Sequence, residues 1–274
     1  MRRVTVDLFD WARSPSERRL RTAIEDPFPG AWAALLRRTW VTWQRLDHDD
    51  RRLMEQLTAG FLATIEVEQA QGFTVTEPMR VVIAAQASLL VLGLARAEGP
   101  REALRAFGDV RTVIVHPTTV VTQRERPTQI QHVVTRAPMH LLGQAELYGP
   151  VLLAWDAVLE GLQREDGENV VLHEFAHKLD MRDGSVDGTP GLGDRESRRA
   201  WHEAATRTLR LLRVRRDPIL RHYGAQNPAE FFAVATETFF ERPHELREHH
   251  PALYSALEGL YLQDPASLAL PVTT

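Results

Sequence analysis

Apolar positions recur with a helical period through the first hundred residues. Pro29–Gly30 breaks the chain before an Ala/Leu/Trp segment near 31–43, and a second amphipathic pattern covers roughly 50–69. Pro78 precedes an almost wholly apolar run, which predicts a buried helix over 79–96. The texture then changes. Val110–His116, Ile130–Thr135 and Val151–Trp155 are short β-branched or apolar runs bounded by Gly and Pro, and they read as strands. From Asn169 the helical period returns, over about 169–181, 194–213, 228–240 and 251–262. Helices, then strands, then helices argue for an α+β fold, mostly helical with a small mixed sheet, rather than alternating βαβ units. No repeat, low-complexity tract or Pro/Gly/Ser linker interrupts the chain. The expectation is one domain over 1–274, with a helical N-terminal part (1–78) and a core over 79–265.

The longest apolar stretch, Val81–Ala95, is broken by Gln86, Ser88 and Gly93. Fifteen helical residues reach about 22 Å, short of the roughly 30 Å of a bilayer's hydrocarbon core. The first residues are interrupted at once by acids and arginines, which is unlike a signal peptide. A cytoplasmic protein with no membrane contact is therefore expected.

Composition narrows the chemistry. At 274 residues and 43% hydrophobic content the chain can bury a substantial core. Thirty-three basic against 37 acidic residues give a net charge of −4, which argues against direct nucleic-acid binding. There is no cysteine. Disulfides, thiolate metal sites and Cys nucleophiles are excluded, and any transition metal must be held by His and carboxylate.

Residues 170–180 read VVLHEFAHKLD. His173 and His177, four apart on a helix, project from one face one turn apart, the spacing that chelates a single ion. Glu174 lies about 100° round from His173, where a general base can reach a metal-bound water. Lys178 follows the second histidine, where an uncharged residue is usual. Asp180 shares the face of both histidines and can accept the free ring N–H of one of them. Catalytic zinc takes three protein ligands and keeps one open position. The third must come from elsewhere, and residues 223–240, YGAQNPAEFFAVATETFF, are the richest source. There Asn227 suits a helix N-cap, Pro228 the first helical position and Glu230 the position that closes a capping box. Glu230 is thus either cap or ligand. Glu237, seven residues on and on the same face, is the rival ligand. Two acids among Phe231, Phe232, Phe239 and Phe240 need a partner if buried, and a metal ion supplies one.

These segments, with NVVLHEFAHKLD at 169–180, MRVVIAAQASLLVLGL at 79–94, GPVLLAWDAV at 149–158 and PALYSALEGLYLQDP at 251–265, resemble the bacterial Mlc titration factor A family. The likeness covers most of 79–265. A similar H-E-F-x-H-x-x-D followed by Y-G-x-x-N-x-A-E-F-F-A occurs in lethal-factor-type metallopeptidases. The resemblance implies a zincin-like cytoplasmic zinc peptidase, aminopeptidase-like, with one zinc per chain, a peptide or protein substrate, and the capacity to bind a transcriptional repressor of the Mlc type. It implies that Glu230 is the third ligand beside His173 and His177, that Glu174 is the general base, that Tyr223 points into the site as a hydrogen-bond donor, and that Glu237 and Asp180 support the ligands from behind. A repressor-sequestering protein with a zinc-stabilised fold and incidental peptidase activity is the alternative. Thr238 stands where the family pattern leads one to expect an aromatic.

Three other clusters read as ordinary surface. His244, Glu245, Glu248, His249 and His250 sit in a short helix bracketed by Pro243 and Pro251 and form a solvated face. Residues 207–221 carry six arginines against Asp217, on the polar side of a helix whose other side is Leu209, Leu211 and Leu212; a solvated face is the first reading, and a patch for nucleic acid or an acidic partner the second. Asp183–Gly184 and Asp187–Gly188 are turns, with spacing unlike an EF-hand loop.

Overall fold

The computed structural model describes residues 14–70, 72–108, 110–118, 149–191 and 194–268. Helix α1 (Pro15–Glu25) opens on a capping box between Ser14 and Glu17. Helices α2 (Gly30–Thr39), α3 (Val41–Arg45) and α4 (His48–Thr64) follow, α4 capped by the Asp47 carboxylate. Strand β1 (Glu66–Gln69) leads to α5 (Glu77–Leu89), α6 (Leu92–Glu98) and α7 (Pro100–Leu104). Strands β2 (Thr112–His116) and β3 (Val151–Ala154) lie either side of the undescribed residues 119–148. Then come α8 (Trp155–Gln163), α9 (Val170–Asp180), α10 (Arg195–Val214), α11 (Pro228–Glu241), α12 (Pro243–His249) and α13 (Pro251–Tyr261).

The architecture is the mostly helical α+β fold that the pattern predicts. The described sheet has the order β1–β2–β3 and is parallel throughout, not mixed. Val67, Val113 and Val151 stand in register across it and are all buried. The expected strand at Ile130–Thr135 lies outside the described residues.

Three elements differ from the sequence reading. The helix expected over 50–69 ends at Thr64, and β1 begins two residues later. The apolar run at 79–96 is two helices meeting at 66°, not one. The break lets Gly93 press against the end of α13, where a Cβ would lie 2.1 Å from the Tyr261 carbonyl oxygen. The last turn of α5 is satisfied there by Gln263, whose side-chain amide donates to Leu89 O at 2.9 Å. The third difference is α8, which begins at Trp155, so the strand before it stops at Ala154. No single described helix is long and apolar enough to cross a membrane, and α5 is buried at Met79 and at every position from Val81 to Leu89.

One hydrophobic cluster runs from Leu20 to Ala266. Helix α9 lies inside it, packed on α11, α5, α8 and β3. Its Phe175 is wedged between Phe61 and Phe107, with ring centroids at 5.5 and 5.1 Å. The N-terminal helices thereby form the floor under the histidine-bearing helix, and each such buried ring contributes about 1.5–3 kcal/mol.

Gly93→Ala should be costly, because the atom it meets is backbone and cannot swing away. We expect a loss of about 1–3 kcal/mol, read as a Tm lowered by several degrees. Gly30→Ala, with nothing within 4 Å of the added Cβ, should leave Tm nearly unchanged.

Candidate metal centre

The Asn169 side chain starts α9 by accepting from Val171 N and Leu172 N, both at 3.1 Å. From that start the helix carries His173 and His177 into the interior, where both are buried. Asn227 starts α11 in the same way, accepting from Glu230 N at 2.9 Å, with Pro228 in the first turn. The Glu230 carboxylate turns inward and is fully buried. Its Oε2 stands 3.2 Å from His173 Nε2 and its Oε1 3.6 Å from His177 Nε2. The two Nε2 atoms are 3.2 Å apart. One ligand atom from each of the three residues lies within 4.8 Å of the others, so they form a group able to hold one metal ion. Two imidazole nitrogens and a carboxylate, facing one another in a buried spot, are a donor set suited to a borderline divalent metal.

Glu237 stands behind this group. Its Oε1 accepts from His173 Nδ1 at 2.7 Å and also from the Arg221 guanidinium, while its Oε2 accepts from the Asn169 backbone N–H at 2.6 Å. With the Nδ1 proton directed at Glu237, the Nε2 lone pair of His173 is left for a metal. Asn169 is itself held on every side. Its Nδ2 donates to Gln86 Oε1 at 2.8 Å, Glu241 Oε1 at 3.0 Å and Gly161 O at 3.3 Å. Gly161 must be glycine, since a Cβ there would come within 2.9 Å of the Asn169 side chain. Burial holds the Glu241 carboxyl well above the usual carboxylate range.

Asp180 is fully buried at the end of α9, and its Oδ2 accepts from Gly188 N at 3.0 Å. Gly188 has a positive φ of 74°, its carbonyl takes the Trp201 indole N–H at 2.6 Å, and a Cβ on it would strike Pro228 O at 2.3 Å. This single residue fastens the ends of α9 and α11 to α10. The turn expected at 187–188 is therefore present and carries structure.

Tyr223 sits in a one-turn 3-10 helix, His222–Ala225, between α10 and α11. Its ring centroid is 6.0 Å from that of His173. Burial, the Glu230 and Glu174 carboxylates and a hydrogen bond to Glu230 raise its pKa, so it remains a neutral phenol and a donor. Glu174 lies half-buried on the wall of a cleft of ≈ 360 Å³, which also exposes His173, Glu237, Arg221 and Tyr223. Ala157 and Glu160 of α8, with Glu168, form further parts of its lining.

The sequence reading assigned two of these side chains to solvent. Arg221 is grouped there with a solvated arginine face, yet it bonds Glu237 in the cleft. His250 is read as part of a solvated cluster, yet its ring packs at 14% exposure against Asp217, with Nε2 2.9 Å from Oδ2. The buried Asn169–Gln86–Glu241 network escapes the reading altogether. Its one available signal is the polar Gln86 inside an otherwise apolar helix.

A profile of the glucose-regulated metallo-peptidase M90 family matches residues 14–262. The chain belongs to that family. It is 33% identical over 253 residues to an uncharacterized protein of Synechocystis sp., covering 90% of this chain and 89% of that one. It is 30% identical over 227 residues to the Mlc titration factor A proteins of Serratia proteamaculans and of Pectobacterium atrosepticum, covering 80% of this chain and 82% of each relative. The resemblance read from the motifs is thus borne out. The chain is a metallopeptidase by family, and the buried His173–His177–Glu230 group is where its metal can bind.

Burial would push the His173 imidazole down, but the carboxylates of Glu237 and Glu230 outweigh it and hold its pKa at about 10 in the metal-free chain. Below that value a proton occupies the site, so a metal must displace it and metal affinity rises with pH. Calorimetric titration of metal at pH 7 in two buffers of different ionisation enthalpy should show proton release. Equal heats in the two buffers would contradict it. Glu230→Gln should lose most of its metal on dialysis. Glu237→Gln should weaken affinity by about 10–100-fold without abolishing it. The reverse order, read by metal mass spectrometry, would return Glu230 to a capping role.

Proposed function

We propose that the chain is a cytoplasmic zinc peptidase, aminopeptidase-like, hydrolysing peptide bonds at the His173–His177–Glu230 group. One observation carries the reading: two imidazoles and a carboxylate converge within 4.8 Å beside a cleft whose wall holds Glu174. A purely structural metal has no need of that fourth, cleft-facing carboxylate. Two histidines of an HExxH helix and a glutamate are the donor set of catalytic zinc in metalloproteases, which supports zinc as the metal. When bound it would acidify a water and polarise the scissile carbonyl.

The chain's own residues do the rest. Glu174 takes the proton from the attacking water and passes it to the leaving amine. Tyr223, kept neutral, donates a hydrogen bond to the oxyanion. Glu237 fixes the tautomer of His173, and Asp180, buried one turn after His177, supports a histidine ring from behind. An extended peptide adds along 149–155, as strand augmentation. Glu160 and Glu168 in the cleft lining suit a protonated amino terminus, which supports an exopeptidase acting from that end.

The relatives' name supports a second reading, in which the chain binds a transcriptional repressor of the Mlc type and peptide hydrolysis is incidental. Glu174→Gln separates the two. It keeps size and helix propensity, so metal content should stay as in wild type while hydrolysis of aminoacyl anilides falls by about a hundredfold or more. Unchanged turnover would remove Glu174 from the mechanism. A wild-type protein that hydrolyses neither anilides nor peptides would favour the sequestration reading. Tyr223→Phe should lower kcat with KM nearly unchanged, by about 3 kcal/mol of transition-state stabilisation, and should leave metal content intact. A rise in KM with kcat unchanged would make Tyr223 a substrate-binding residue instead.

A further inference from the structure

Helix α10 buries one face through Trp201, Thr208, Leu209 and Leu212, against α13, α11 and the turn that carries Tyr223. At about 100° per residue, Arg207, Arg210, Leu211 and Val214 fall within a single arc of about 100° on the opposite side. Leu211 is 38% exposed and Val214 80% exposed, so the sequence reading that placed Leu211 on the buried side is corrected here. Arg215 and Arg216 extend the same end and are exposed. Among the described residues no carboxylate forms an ion pair with any of these four arginines. The nearest acid on the helix, Glu203, is taken by Arg199 at 2.9 Å.

Four unneutralised guanidiniums around two exposed aliphatic side chains, in a chain whose net charge is −4, form a local field opposite in sign to the whole. We propose that this outer face of α10, from Arg207 to Arg216, is a docking surface for an acidic amphipathic segment of another protein. The guanidiniums would meet its carboxylates, and Leu211 and Val214 would cover its apolar stripe. Charge complementarity and the apolar pair together select this occupant. Nucleic-acid phosphates would pair the arginines and leave Leu211 and Val214 against a charged backbone. A second copy of the chain, laid antiparallel, would bring Glu203 across, and that carboxylate is already paired. The surface lies on α10, apart from the residues of the cleft, and the proposal stands independently of the peptidase reading.

Fluorescence anisotropy with a labelled synthetic helix, alternating Glu with Leu at helical spacing, tests the proposal on the full-length protein. Poly-glutamate and an arbitrary 20-base-pair DNA duplex serve as rival probes. The synthetic helix should bind more tightly than poly-glutamate, and its binding should weaken as salt is raised. Arg207→Glu with Arg210→Glu should weaken it by about tenfold or more, and Leu211→Ser with Val214→Ser by a smaller factor. Both double variants should keep wild-type circular dichroism, Tm and metal content, since all four side chains are exposed. Duplex DNA bound as tightly as the helix would make this a nucleic-acid face and overturn the proposal. Poly-glutamate bound as tightly as the helix would overturn the apolar part. Affinity unchanged in the charge-reversed variant, or no binding of the helix at all, would overturn the whole.

Discussion

Carboxylates and imidazoles carried into a low-dielectric interior are tolerable only where protons, cations and hydrogen bonds balance them. That constraint governs the junction of α9 with α11. Glu230 and Glu237 are nearly or wholly inaccessible, and His173 lies between them, 3.2 Å from one and 2.7 Å from the other. In the metal-free chain His173 holds a proton and Arg221 supplies a second cation to Glu237. Those two cations balance the two carboxylates, and one of them is a proton on His173 itself, which a divalent ion would displace and replace. The backbone N–H of Asn169, given to Glu237, joins the two helices at the point where this charge is concentrated.

The surrounding structure keeps that junction from relaxing. Asn169 caps α9 with its oxygen while its nitrogen reaches Gln86, Gly161 and Glu241. Gly188 closes the other end, receiving Trp201 from α10 and offering its N–H to Asp180. Phe175 presses the helix onto the Phe61–Phe107 pair from beneath. With both ends and the floor fixed, the spacing of the three ligand atoms follows from packing, and the open side faces Glu174, Tyr223 and the cleft.

Much of this was legible in the chain. Asn169 opens α9, and Asn227 with Pro228 opens α11; both helices lie within a residue of the predicted bounds because caps and period agree. The choice between Glu230 and Glu237 was not legible from spacing, since seven residues return to one face, and both acids do meet His173. What separates them is height along α11, which only the packing against α9 sets. The bend after Leu89 has no proline to announce it, and the close approach of Gly93 to residue 261 is a contact distant in sequence. Strand β1, EVEQ, is four residues long with a single buried position, too short for alternation to register. Arg221 and Leu211 were misassigned for one reason: periodicity assigns a face to a residue only while the helix lasts and only if one known side is covered. Arg221 lies beyond α10, and Leu211 lies on its exposed side although its neighbour Leu212 is buried.

The contacts that make the centre are far apart in the chain. Asn169 reaches back 83 residues to Gln86 and forward 68 to Glu237. None can form by local winding of α9, so a growing or partly folded chain holds the two histidines well before it holds their socket. The full set of ligands therefore exists only once these long-range contacts have formed. An ion held by all three stabilises the folded chain by mass action. A chain ending between Asp180 and Glu230 would carry the HExxH segment and lack the third ligand.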